Sequence, residues 1–304
     1  MNEKNKKYSS YLITFTLLVF FINYFINEPD FTNILKTTKT SSLVFIIFLC
    51  LLRIFVISYL NIYLYRLIEI KIKFKESFKI VFMNRAGNQL MPFKLGSGYK
   101  LHYFVNKLKT PLSTYMSINT GQSLINLFLN SIILLSVVNI FSSFYTNNTL
   151  TLINLFLLTF IIAFLLLIYI SFYLHKNNKI KEGGILFRIN YGIKSLFTIN
   201  KNQISFLGLT FLLTLLNIYI AFYIANMYVE NNSLSEAIKL YSVGQFTGVI
   251  SITPGNIGIT ELILISLQKL YVYKTSEILA ISLVGRVADY IVLVLLNFFV
   301  KKTD

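Results

Sequence analysis

Tryptophan is absent from this 304-residue sequence, cysteine occurs once, and Asp and Glu together number 12. Without tryptophan, any aromatic belt at a membrane interface has to be built from tyrosine, of which there are 20. The lone Cys50 excludes an intramolecular disulfide and makes no cysteine metal cluster. Charge of either sign is scarce: 13% of residues are charged, 55% are hydrophobic, and mean hydropathy is +0.66. A soluble domain of this length needs more polar surface than that. The composition predicts an all-α, polytopic membrane protein forming one transmembrane domain over residues 1–304.

Catalytic signatures are missing too. There is no Gly-x-Ser-x-Gly elbow, Walker loop, His-Glu-x-x-His or paired-cysteine motif. His102 and His175 have no companions at ligand spacing, so no metal site is expected. The scattered acids form no evident catalytic cluster. The chain reads as a non-enzyme that needs no cofactor.

What the sequence has in excess is positive charge, 28 Lys and Arg for a formal net charge of +16. These residues lie in the connections between apolar stretches rather than in one stripe, which argues against a nucleic-acid partner. Apolar runs long enough to cross a core of about 30 Å occupy residues 11–26, 41–65, 112–144, 150–174, 203–228 and 278–300. The first follows Lys4, Lys6 and Lys7 but is not followed by a small-x-small cleavage site, so it reads as a retained helix rather than a signal peptide. Basic residues concentrate before residue 11, in 66–109 and in 175–202, whereas 142–149 is uncharged. Cytoplasmic loops retain Lys and Arg. Both termini are therefore placed in the cytoplasm, in a bacterial-type cytoplasmic (inner) membrane. Gly192, in one of the basic connections, is expected to tolerate a large side chain.

Two stretches, 76–108 and 235–271, are apolar or amphipathic segments broken by Gly and Pro. Broken backbone at membrane depth is tolerated only where protein or water lines it, so both read as re-entrant helical hairpins. The breaks match: Pro92-Phe93-Lys94-Leu95-Gly96, with Gly98 following, and Pro254-Gly255-Asn256-Ile257-Gly258. In the orientation above the two hairpins enter from opposite sides. That pattern suits an inverted repeat, with halves at about 41–144 and 203–300, and points to a transport site.

Charges within spans cost roughly 2.5–3.5 kcal/mol on insertion scales, so each needs a partner or a wet cavity. Arg286 and Asp289 stand three apart on the last span, close enough to pair; Arg286 either neutralises Asp289 or meets a lipid phosphate. Glu261 either caps the helix after Gly258 or acts as a carboxylate that binds a cationic headgroup or cycles a proton. Arg53 reads as a snorkelling residue. Lys94 and Lys100 bracket Gly96-Ser97-Gly98, where a helix start offers backbone N–H groups to an anion.

These broken hairpins resemble the lysylphosphatidylglycerol synthase transmembrane-region family of flippase-like membrane proteins. Asn88-Gln89-Leu90-Met91-Pro92-Phe93-Lys94-Leu95-Gly96 is similar to the family's Asn-x-x-x-Pro-x-(Arg/Lys)-x-Gly loop, with Lys100 downstream. Pro254-Gly255-Asn256-Ile257-Gly258-Ile259-Thr260-Glu261 resembles its Pro-Gly-x-x-Gly-x-x-Glu motif, and Arg286 falls where a final-helix arginine belongs. Ser97 stands where many members carry Glu, so no acid role passes to that position. In the namesake synthases a soluble aminoacyl-transfer domain follows; this sequence stops at Asp304, so synthesis of the aminoacylated lipid is not expected. The resemblance implies a lipid flippase or scramblase for an anionic-headgroup or polyprenyl-linked lipid, with Lys94, Lys100, Glu261, Arg286 and Asp289 at the headgroup. The alternative is a non-transporting accessory subunit of surface-polysaccharide or lipid-modifying machinery, partnered by cell-envelope glycosyltransferases. A small-solute transporter is a third reading.

Overall fold

The computed structural model describes residues 36, 38–91, 95–141, 147–176, 185–248, 253–270 and 272–301. Among these residues it contains no strand and ten α-helices: α1 (Thr40–Arg66), α2 (Phe74–Leu90), α3 (Leu95–His102), α4 (Leu112–Ile140), α5 (Asn147–Lys176), α6 (Ile185–Phe197), α7 (Lys201–Ala225), α8 (Leu234–Thr247), α9 (Ile259–Ser266) and α10 (Thr275–Lys301). Five carry windows long and apolar enough to cross a membrane: α1, α4, α5, α7 and α10. They correspond to five of the six anticipated spans. The run at 11–26 lies outside the described residues. At 1.5 Å per residue α1 reaches about 40 Å, more than a hydrocarbon core requires.

The chain resolves into two compact units. One comprises the described parts of Met1–Ile54, Val81–Tyr99 and Leu215–Asp304; the other comprises those of Phe55–Ile80 and Lys100–Thr214. In hydrocarbon, helices associate through close packing rather than through escape from water, so small residues belong at their contacts. The second unit follows this rule where α6 lies on α4. A Cβ at Gly192 would overlap the Ser117 side chain, and one at Gly121 would overlap Leu196. Gly192 therefore marks a packed helix crossing, not the permissive connection expected from the sequence. Around that crossing Tyr65, Phe104 and Tyr115 stack, with Tyr65 and Phe104 ring centroids 3.8 Å apart, and Leu196 and Phe206 are fully buried beside them.

In the first unit, α9 packs against both α8 and α10. Helix starts in this unit are capped locally. The Ser233 hydroxyl accepts from the Glu236 N–H at the start of α8, and the Lys274 N–H donates to Glu277 Oε2 (2.7 Å) at the start of α10. Each such cap satisfies a backbone donor that the helix itself leaves free. Glu236 has further tasks: one oxygen accepts from the Val272 N–H at 3.1 Å, and the other pairs with Lys239, which is 1% exposed. The α10–α8 end of the unit is thereby held by a carboxylate whose charge is neutralised within the same helix.

Candidate functional site

The second break is a tight backbone turn. Pro254 opens a short 3-10 turn, Pro254–Asn256, as its fixed φ favours. Gly255, Asn256 and Gly258 then take φ of +56°, +57° and +86°. Glycine adopts that left-handed region without the Cβ clash other residues meet, and asparagine is among the few that tolerate it. Thr253 Oγ1 donates to the Ile257 carbonyl at 2.8 Å, and Asn256 Nδ2 donates to the Thr247 carbonyl at 3.2 Å, closing the turn on itself and on α8. The reversal delivers Glu261 to the first turn of α9. There its Oε2 accepts from the Gly258 N–H at 2.8 Å, which is the capping role.

The other carboxylate oxygen of Glu261 carries the more consequential contacts. It accepts from Arg286 Nε at 3.0 Å and Nη2 at 2.7 Å, and from the Ser282 hydroxyl. Arg286 also donates to the backbone carbonyls of Gly255 and Asn256. Its fork thus binds one carboxylate and both carbonyls of the break. The expected Arg286–Asp289 pair does not form, because the turn at Gly258 brings a better-oriented carboxylate within reach of the guanidinium.

Asp289 instead pairs with Arg53 and, at 3.3 Å, with Arg85. Arg53 turns inward from α1, and its other terminal nitrogen reaches Asn217 Oδ1 at 3.4 Å. Its side chain is 15% exposed, so it does not snorkel. Three arginines and two carboxylates make up this cluster, leaving one net positive charge. Gln89 contributes as well, donating through Nε2 to Asp289 at 3.4 Å. Its Oε1 is buried without a partner.

The first hairpin presents its own tight approach. A Cβ at Gly87 would lie 2.5 Å from Gly96 Cα, and one at Gly96 would overlap the Asn84 carbonyl. This crossing of α2 and α3 lets Asn88 Oδ1 accept from the Ser97 N–H at 3.1 Å. That N–H was expected to help cradle an anion; an internal cap occupies it. Gly98 lies within α3 with no neighbour within 4 Å of its Cβ position, so packing does not demand glycine there. Pro92 and Lys94 lie outside the described residues. Lys100 belongs to the second unit, where Nζ donates to Asn61 at 3.1 Å and Asn119 at 2.9 Å, and sits 5.3 Å from the Tyr65 ring centroid.

The end of α2 meets the second break in the first unit. A Cβ at Gly255 would lie 3.7 Å from the Gln89 carbonyl oxygen. Arg85, Asn88 and Gln89 of α2 line a cavity of about 230 Å³ with Gly248, Thr253, Gly255 and Asn256. At roughly 30 Å³ per water, it has room for about eight waters or a polar group of that size. Arg85 is the cation of this wall, with its side chain 21% exposed. Among the described residues one of its five N–H donors is committed, by a long bond to Asp289, which leaves others to meet an anion. Sequence reasoning missed Arg85 and Gln89. Their spacing of four, just ahead of a Gly/Pro break, was the available signal, since it sets both on one face of α2.

The family model for the lysylphosphatidylglycerol synthase TM region matches residues 10–296. No curated protein and no solved structure matches the chain.

Proposed function

The chain belongs to the lysylphosphatidylglycerol synthase transmembrane-region family, and from that premise we propose that it is a lipid flippase or scramblase. The lipid carries an anionic headgroup or is polyprenyl-linked, and it passes between the leaflets of a bacterial-type cytoplasmic membrane with both protein termini on the cytoplasmic side. The observation that carries this reading is the cavity between the end of α2 and the second break, with Arg85 on its wall and a net positive cluster behind it. Lipid translocation requires a polar path for the headgroup while the acyl chains stay in hydrocarbon, and broken helices are where such a path is tolerated.

In this reading the roles divide differently from the sequence expectation. Arg85 meets the headgroup phosphate, because its guanidinium has donors to spare. Arg286 and Glu261 hold the break that shapes the cavity, and Asp289 positions Arg85. Lys100 is bonded to two amides within the second unit rather than to a carboxylate, and no part in this cavity is given to it. The protein performs no covalent chemistry.

The test is leaflet exchange of fluorescent lipid in proteoliposomes of the purified chain. Exchange faster than in protein-free liposomes supports the reading. Rates equal to protein-free liposomes for both phospholipid and polyprenyl-phosphate probes would refute it.

A further inference from the structure

A second cavity, of about 1140 Å³, lies within the second unit and shares no residue with the site above. Its rim is basic. Arg66 ends α1, and Lys71 and Lys73 lie in the connection to α2; all three are exposed. The N-terminal turn of α7 reaches the cavity through Asn202, and a helix N-terminus adds the positive end of its dipole. A single carboxylate lines it, that of Glu69, which also faces Tyr191. The Arg66 guanidinium stacks 5.2 Å from the Tyr63 ring centroid, an arrangement that leaves its N–H edge available.

Two aromatic rings line the cavity below the rim, Tyr59 and Phe74, with centroids 4.7 Å apart. Beyond the cavity the aromatic face continues through Phe55, 6.1 Å from Phe74 and 5.5 Å from Phe78, centroid to centroid. Tyr59 and Phe55 remain 49% and 42% exposed, so this ladder is an open face. From Arg66 back to Phe55 is eleven residues of α1, about 16 Å of helix. That is about half of a hydrocarbon core of about 30 Å. A basic rim at a helix end, continued by an exposed aromatic face about one leaflet long, matches a molecule with a phosphate at one end and an alkyl chain at the other.

We propose that this cavity, with the face beyond it, is a seat for an anionic phospholipid, with the phosphate on Arg66, Lys71 and Lys73 and one acyl chain along Tyr59, Phe74 and Phe55. Three cations against one carboxylate give the charge complementarity, and clustered juxtamembrane Lys and Arg are the side chains that attract anionic lipid. The seat is separate from the proposed translocation cavity and holds whether or not the protein moves lipid. A small phosphate compound satisfies the rim alone; only a lipid satisfies rim and ladder together.

The test is equilibrium binding to the purified full chain in neutral detergent, with three probes: dioctanoyl phosphatidylglycerol, dioctanoyl phosphatidylcholine and glycerol phosphate. Phosphatidylglycerol is expected to bind at least about tenfold more tightly than either of the others. Combining Arg66→Gln, Lys71→Gln and Lys73→Gln is expected to weaken it by roughly a hundredfold, at the usual contribution per juxtamembrane cation. The rim residues are exposed, and circular dichroism verifies that this variant remains folded. Tyr59→Ala is the second variant, expected to weaken phosphatidylglycerol binding while leaving its salt dependence unchanged. Wild-type affinity in the folded triple variant overturns the proposal. Glycerol phosphate binding as tightly as phosphatidylglycerol makes this a free-phosphate site and overturns it, and equal binding of phosphatidylcholine overturns it as well.

Discussion

Replacing Arg286 by leucine removes a guanidinium that is 19% exposed from a carboxylate that is 6% exposed. Breaking a buried pair by deleting one partner costs about 3–5 kcal/mol, and the partial exposure favours the low end. The same change strips donors from the Gly255 and Asn256 carbonyls, at about 1 kcal/mol each. Arg286→Leu should therefore lose about 5 kcal/mol. Glu261→Leu leaves the guanidinium unpaired and both the Gly258 N–H and the Ser282 hydroxyl without their acceptor, for about 5 kcal/mol by the same reckoning. With both changes no ion is left alone. The two carbonyls, one N–H and one hydroxyl lack partners, so the double variant should lose about 4 kcal/mol, less than either single one. Reversible unfolding in mixed micelles, followed by far-ultraviolet circular dichroism, measures all three. Losses that add to within about 0.5 kcal/mol would mean the two residues do not interact and would refute the assignment. Arg286→Leu combined with Asp289→Leu provides the contrast. Arg53 and Arg85 stay charged in that variant, so no recovery is expected.

Arg85→Gln should lower exchange of anionic lipid about tenfold, the worth of one charge-assisted hydrogen bond, while unfolding shifts by less than about 1 kcal/mol; unchanged exchange would remove Arg85 from the headgroup path. Gly96→Ala should destabilise by about 1–3 kcal/mol through overpacking against Asn84, whereas Gly98→Ala should stabilise α3 by up to about 1 kcal/mol, because a helical glycine with open space gains from a methyl; the same unfolding assay reads both, and equal responses would contradict the crossing. Gly192→Leu should cost about 1–3 kcal/mol by forcing α6 off Ser117, and a neutral outcome would argue against that contact. In a Cys50→Ala background, a cysteine replacing Asn147 should react with impermeant reagent only from outside the cell, and labelling solely from the cytoplasm would invert the orientation.

The helices were legible because crossing a membrane imposes a length and a composition on consecutive residues. α1, α4, α5, α7 and α10 could all be read from their apolar runs. The Pro254–Gly258 turn was legible for a similar reason, since positive φ at two glycines is a local demand that selects local residues. The charged cluster was not. Arg53 and Asp289 are 236 positions apart, and the only neighbour that spacing alone offers Arg286 is Asp289. Which carboxylate it takes depends on where a turn at Gly258 delivers Glu261, and that is a three-dimensional outcome with no periodic trace. Gly192 misled for the complementary reason: a glycine in a basic stretch between apolar runs looks like a loop, and only the neighbouring helix shows what it packs against.

The Arg286 fork also bears on how the first unit moves. Its bonds to Gly255, Asn256 and Glu261 tie the break and the start of α9 to the middle of α10. Those three pieces then travel as one rigid body, because shearing the break from α10 means releasing several bonds from a single cation in a poorly hydrated place. On the opposite wall, among the described residues, Arg85 and Gln89 are joined to α10 by long hydrogen bonds, 3.3 and 3.4 Å to Asp289 and 3.5 Å from the Tyr290 hydroxyl to the Gln89 carbonyl. The softer seam in the wall of the cavity therefore runs between α2 and α10. If the cavity widens during a transport cycle, it widens there, on the microsecond-to-millisecond scale of sliding helices, with the Pro254–Gly258 turn carried along unchanged in shape.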